Sequence, residues 1–155
     1  LGTGSGFAIA PDLIVTNLHV VDGAERVLGS IRLRGSPEGA DGGADILAGG
    51  GELGFGKPQI CVEVKSGSDT VDRPTVDKLI GAGQKFGAET CLFVSWGGFK
   101  PNVQKELARD FFRVRLWSRK DLLEKLFAHY DRLPEEIRLA LPLKRVWMVT
   151  PDQGD

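Results

Sequence analysis

The stretch QICVEVKSGSDTVDRPTVDKLIGAGQKFGAETCLFVSW, residues 59–96, decides the reading of the fold. In its opening strand, Ile60, Val62 and Val64 fall on one side and Cys61, Glu63 and Lys65 on the other. Successive strand side chains point to opposite faces. The first set reads as core. Glu63 and Lys65 then stand side by side, either as a weak surface ion pair or as part of a site. After SGSDTVDRP the period changes. Val76, Leu79, Ile80 and Gly83 recur at helical spacing, Pro74 suits a helix start, and Gly87 suits a helix end. TCLFVSW is almost continuously apolar, as a central strand covered on both faces would be. Strand, helix and strand in this order imply a right-handed parallel crossover.

Upstream, ADILA (44–48) reads as a strand antiparallel to 59–65, joined to it through the Gly-rich GGGELGFGKP. IRLRG (31–35) is a further short strand. FAIA and LIVTNLHVV, before it, read as two strands separated by the turn APDL. Downstream, VQKELARD is a short helix. FFRVRLW (111–117) alternates, with Phe112, Val114 and Leu116 expected in the core. SRKDLLEKLFAHYDRL is an amphipathic helix with Ser118 as N-cap and Leu122, Leu123, Leu126, Phe127 and Tyr130 as its buried stripe. EEIRLAL adds a last turn or two of helix, KRVWMV a final strand, and TPDQGD a loose tail. The fold class expected is α/β, a mixed central β-sheet flanked by helices.

A length of 155 residues suits one compact domain, and 41% hydrophobic with 26% charged residues argues against disorder. The net charge of −1 selects no partner by itself. Its distribution is more telling: residues 1–70 hold five basic and nine acidic side chains, and residues 71–155 hold fifteen and twelve. The basic residues concentrate in 99–120, where Lys100, Lys105, Arg109, Arg113, Arg115, Arg119 and Lys120 are interleaved with Phe111, Phe112 and Trp117. Cys61 and Cys91 read as reduced core thiols, with no second ligand at zinc spacing. His129, at the edge of a buried stripe, reads as structural. GTGSG lacks the strand and helix that a phosphate loop needs. No apolar run approaches membrane-spanning length and no signal-peptide pattern opens the chain, so the expectation is a cytoplasmic protein with no membrane partner.

A Glu-x-Lys pair alone is usually a solvated face. A second carboxylate changes that. Asp45 stands at the start of the strand paired with 59–65, so Asp45 and Glu63 converge at one end of the sheet with Lys65 beside them. Two such carboxylates are hard-oxygen ligands that Mg²⁺ accepts while keeping water and a substrate phosphate in its shell. Lys65 would orient the attacking water or offset charge developing on phosphorus.

Over residues 31–150 the words DGGADILAGGG, ICVEVKSG, VDRPTVDKLIGAGQKFGAE, LFVSWGGFK and FFRVRLWSRKDLLEKL resemble the Mrr-like restriction endonucleases of the PD-(D/E)xK nuclease superfamily. The resemblance implies a restriction-endonuclease-like fold, with the family's catalytic Asp on Asp45 and its (D/E)xK pair on Glu63 and Lys65. Many relatives carry Gln where Glu63 stands. It also implies a cofactor, Mg²⁺ with Mn²⁺ as substitute, and a double-stranded DNA substrate. A homodimer is compatible with it, and DNA restriction is the role it suggests. Lys100, Lys105, Arg113 and Arg115 are the candidate DNA-backbone contacts, and Ser66 and Gln84 are minor candidates.

One segment departs from that family. GTGSGFAIAPDLIVTNLHVVDGA stands where relatives carry a helix, and is similar to the start of trypsin-like, HtrA-type serine proteases, whose TNxHVV holds the catalytic His, here His19. No GxSGG nucleophile motif follows, so His19 lacks triad partners. The domain division expected is 1–30 as a protease-like hairpin segment, 31–150 as the nuclease domain and 151–155 as tail. The alternatives are a catalytically inactive DNA-binding module of the same fold and a remnant of a serine protease.

Overall fold

The structure, a computed structural model, describes residues 6–10, 13–16, 25–28, 31–35, 43–51, 53–133 and 135–149. His19 and the tail lie outside the described residues. Strands β1 (Gly6–Ala10) and β2 (Leu13–Thr16) form an antiparallel hairpin of their own. The main sheet has six strands in chain order: β3 (Glu25–Leu28), β4 (Ile31–Gly35), β5 (Ile46–Gly50), β6 (Gly56–Lys65), β7 (Thr90–Ser95) and β8 (Val114–Ser118). From β3 to β6 neighbours are antiparallel, whereas β6, β7 and β8 are parallel. The mixed sheet of the expected α/β class is therefore present. It takes in Glu25–Leu28, ahead of the boundary expected at residue 31.

Helix α1 (Arg73–Phe86) makes the crossover from β6 to β7. Asp72 caps it, accepting from the Thr75 N–H at 3.2 Å and the Thr75 hydroxyl at 2.7 Å. Gly87 ends it in the left-handed conformation at φ 71°, where a side chain would be strained. The short α2 (Pro101–Glu106) runs into a 3-10 turn, Leu107–Asp110, which is held to the start of α1 by the Arg73–Asp110 ion pair at 2.6 Å. Helix α3 (Arg119–His129) starts on a full capping box between Ser118 and Asp121, and α4 (Glu135–Ala140) follows. Among the described residues no helix is long and apolar enough to cross a membrane.

The sheet is covered on both faces. Cys61, Cys91, Phe93 and Val114 pack with Val76, Leu79 and Ala82 of α1 and with Val103 of α2. On the other face, Ile46, Val62, Leu92 and Val94 pack with Leu122 of α3, and β1 runs beside that helix. Cys61 and Cys91 are buried free thiols, as expected of core cysteines. Cys61 is as fully buried as Val62, at 0% and 1% exposure, so the side of β6 that carries Glu63 is covered as well as the side that carries Val62. Period-2 alternation marks a half-buried strand, but β6 is central.

Three differences from expectation have physical reasons. Phe112 is 85% exposed, because β8 starts only at Val114 and Phe112 stacks edge-on with Phe111 at 5.2 Å instead. Phe127 is exposed, since Leu126 takes the inward position on α3. KRVWMV is not a strand: residues 142–149 have no regular structure, and Trp147 and Val149 are exposed.

Helix α1 packs closely on the sheet at Gly83. A Cβ there would come within 2.4 Å of the buried Cys91 Sγ. Gly83→Ala should therefore destabilise the chain, although alanine is the better helix former. Overpacking of about 3 kcal/mol against a helix gain of about 1 kcal/mol leaves a net loss of about 2 kcal/mol. Cys91→Ala should restore most of it in the double variant. Urea midpoints of the four proteins measure this coupling, and simple additivity would contradict the contact.

Candidate active site

The β5–β6 hairpin brings Asp45 to Glu63. Ile46 pairs with Val62, so the residue before the one and the residue after the other come next along the ladder. The Asp45 N–H donates to the Val62 carbonyl at 2.8 Å, and the Val64 N–H donates to Asp45 Oδ2 at 2.7 Å. Backbone on either side of Glu63 thus holds Asp45. Glu63 Oε1 lies 3.0 Å from Lys65 Nζ. The glutamate side chain is 12% exposed and the lysine 52%, so a buried acid is paired with a cation that reaches solvent. All three residues sit where the parallel strands end together, because Lys65, Ser95 and Ser118 are register partners. The carboxyl ends of parallel strands are where open α/β sheets gather their sites.

The electrostatics separates the roles these groups can take. Burial pushes the Asp45 carboxyl above the ordinary aspartate range, and the Val64 N–H and the Lys65 charge only partly offset it. Burial also raises Glu63. The hydrogen bond and charge of Lys65 oppose that shift, the Asp45 charge adds to it, and the charge of Lys78 opposes it again. Lys65 is raised chiefly by its bond to Glu63, against a smaller effect of burial. It therefore stays an ammonium at neutral pH. Such a group can offset negative charge or donate a hydrogen bond to water, but it cannot serve as a ready base.

Two partly desolvated carboxylates beside one lysine make a site with one negative charge in excess when ionised. Each has one oxygen engaged, Asp45 Oδ2 by the Val64 N–H and Glu63 Oε1 by Lys65. That donor set fits a hard divalent cation that takes its remaining ligands from water and phosphate. Among the described residues no cluster of three or more His, Cys, Asp or Glu forms a closed metal cage.

Lys78 was not singled out by the sequence, where it is one lysine among others on an amphipathic helix. It stands one turn before Ala82 on α1, and Ala82 borders Gly43, where an added Cβ would lie 3.2 Å from the alanine Cβ. Gly43 stands two residues before Asp45, so this side of α1 lies beside the carboxylate segment, and the charge of Lys78 acts to lower Glu63.

The other candidate residues are scattered. Lys100 follows the Val71–Phe99 bridge and lies 4.0 Å from Asp72 at the start of α1, near the carboxyl end of β6. Lys105 is exposed on α2. Arg113 accepts the Cys91 N–H on its carbonyl at 2.7 Å, which puts it level with the start of β7. Arg115 pairs with Leu92 and lays its guanidinium 3.9 Å from the Phe111 ring centroid. At ~3.3 Å per residue these two arginines stand roughly 10–16 Å back along the strands from the level of Lys65. Ser66 is exposed beside Lys65, whereas Gln84 lies in the last turn of α1, toward the same far end. A cleft of about 280 Å³ lined by Ile60, Leu92, Phe112, Arg113, Arg115 and Trp117 also opens at that end and on the α3 face, away from the carboxylates.

Against this geometry, residues 16–126 match the family model of the Mrr catalytic domain, described as a restriction endonuclease. The chain belongs to this family. The Mrr match runs from the end of β2 into α3 and includes Asp45, Glu63 and Lys65. It begins at residue 16, within the segment that resembles a protease. The chain is thus of the restriction-endonuclease type, a class of nucleases whose substrate is DNA and whose members generally use divalent metals. Neither the curated proteins nor the solved structures yield a match to it.

Proposed function

We propose that this Mrr-type chain is a metal-dependent DNA endonuclease, with Asp45 and Glu63 as ligands of Mg²⁺, for which Mn²⁺ can substitute, and Lys65 as the catalytic lysine. The observation that carries the reading is the convergence of two desolvated carboxylates and a protonated lysine at the carboxyl end of β6. Residues 31–150 form the nuclease unit in this reading, with β3 of the preceding segment as its edge strand and the β1–β2 hairpin as an addition.

When bound, the metal supplies Lewis acidity toward the phosphate and a more acidic water. The chain's own groups do the rest. Asp45, fixed by the Val64 N–H, presents its free oxygen in one orientation. Glu63, anchored to Lys65, does the same from the neighbouring strand position. Lys65 holds an ammonium at the strand end, where it can offset the charge that grows on the phosphoryl oxygens and hydrogen-bond the incoming water. Burial of Glu63 and of Cys61 and Val62 before it holds the glutamate in place as charge moves, whereas Lys65 reaches solvent and is positioned by its bond to Glu63.

Metal binding can be tested apart from activity. Mg²⁺ should raise the thermal midpoint of the wild-type chain, increasingly with the logarithm of its concentration above the dissociation constant, and the rise should vanish in Asp45→Asn. An equal rise in both proteins, or none in the wild type, would argue against these ligands.

A further inference from the structure

If the scissile phosphate lies at Asp45, Glu63 and Lys65, a duplex crossing the end of the sheet must also meet whatever else stands there. The carboxyl ends of β6, β7 and β8 are level with one another. One residue past that level is Trp96, whose backbone N–H donates to the Lys65 carbonyl at 2.8 Å. Its side chain is 43% exposed. Arg119, the first residue of α3, holds its guanidinium 5.5 Å from the Trp96 ring centroid. The Ser118–Asp121 capping box fixes the backbone from which Arg119 projects. Among the described residues no carboxylate pairs with Arg119.

The distribution of exposed aromatic residues sets Trp96 apart. Phe55 lies in the β5–β6 turn, Phe86 at the end of α1, and Phe111 and Phe112 just before β8. All four stand toward the opposite end of the strands, Phe127 lies well along α3 from its start, and Trp147 lies in the irregular segment 142–149. Among the exposed rings on or next to the described sheet strands, Trp96 is the one at the carboxylate end, on the same peptide connection that touches the catalytic lysine. A ring half open to water next to an arginine is the combination that proteins use to hold nucleic acid by its sugars, bases and phosphates.

We propose that Trp96 and Arg119 together seat the nucleotide flanking the scissile phosphate, Arg119 on its backbone phosphate and Trp96 against the adjoining sugar and base. The inference rests on the nuclease reading above. Contacts of this kind position the strand without selecting its sequence, because phosphate and sugar are the same at every nucleotide. They also assign the basic stretch differently from Arg113 and Arg115, which stand at the far end of β8.

The test is fluorescence anisotropy with a short labelled duplex across a range of KCl, in an Asp45→Asn background so that binding is read without cleavage. Trp96→Ala should weaken binding roughly tenfold at every salt concentration, while Trp96→Phe should retain most of it. Arg119→Gln should lower the slope of log affinity against log salt by about one. Arg113→Gln should leave the slope unchanged. Unaltered affinity in Trp96→Ala with an intact thermal midpoint would overturn the proposal, as would a slope change in Arg113→Gln but not Arg119→Gln. If Trp96→Ala does not fold, Trp96→Phe and Arg119→Gln decide the matter by the same measures. A background protein that binds no duplex overturns this inference and the nuclease reading together. Binding that depends on Trp96, by a wild-type chain that never cleaves, upholds the contact and removes the nuclease reading alone.

Discussion

Asp45→Asn is expected to abolish cleavage and to make the protein more stable. The loss should be on the order of 10²–10³-fold or more, the range that removal of one preorganised charged or polar group costs an active site. The gain in stability follows from the direction in which burial moves this carboxyl. A raised carboxylate value means that the folded chain holds the proton more tightly than the unfolded chain. Stability then falls as pH rises from the ordinary aspartate value through the raised one, and the penalty is complete above it. Asparagine carries no such penalty, and its side-chain oxygen can still accept the Val64 N–H. At neutral pH the midpoint of Asp45→Asn should lie above that of the wild type. In acid, where Asp45 is itself neutral, the two proteins should converge. Thermal melts of both proteins from pH 3 to pH 8 measure this, and a lower midpoint for Asp45→Asn at neutral pH would contradict the burial argument.

Lys65→Ala should lose cleavage by a comparable factor, again roughly 10²–10³-fold, but for a different reason and with a different signature. The lysine is no metal ligand, so divalent-cation binding should survive its removal. With the competing ammonium gone, binding at pH 8 should tighten rather than weaken. Glu63 loses the largest influence that holds its carboxyl down, so its protonation should extend to higher pH and metal binding should become more sensitive to acid. Titration calorimetry with Mg²⁺ at two pH values separates the variants: Asp45→Asn loses binding, and Lys65→Ala keeps it. Lys65→Arg should not restore activity. The guanidinium keeps the charge but not the compact ammonium that lies 3.0 Å from Glu63. Loss of metal binding in Lys65→Ala would mean that the lysine orders the carboxylates rather than acting on the phosphate.

Local patterns carried most of the fold. The helix over residues 73–86 was legible from its apolar period, from Pro74 and from Gly87, all of which act within one helix. Ser118 was legible as a cap for the same reason. The strand pair that joins Asp45 to Glu63 could be expected because two successive strand-like runs joined by a Gly-rich loop pair most readily with each other. What was not legible depends on pairing rather than on propensity alone. ERVL becomes β3 by pairing with the adjacent β4, whereas KRVWMV, of similar strand propensity, pairs with no strand among the described residues. Phe112 suited an alternating strand that in fact begins two residues later, and a local stack with Phe111 took its place. Lys78 and Gly83 gain their meaning from Glu63 and Cys91, residues brought to them by the crossover.

The central claim, a nuclease centred on Asp45, Glu63 and Lys65, is tested most directly by nicking of supercoiled plasmid. Wild type, Asp45→Asn and Lys65→Ala would be incubated in parallel with Mg²⁺ and with EDTA. The expected result is open-circular and linear product from the wild type with Mg²⁺, none with EDTA, and none from either variant. Cleavage that persists in a variant would contradict the assigned roles. A folded wild-type protein that binds DNA and leaves the plasmid intact would contradict the claim itself.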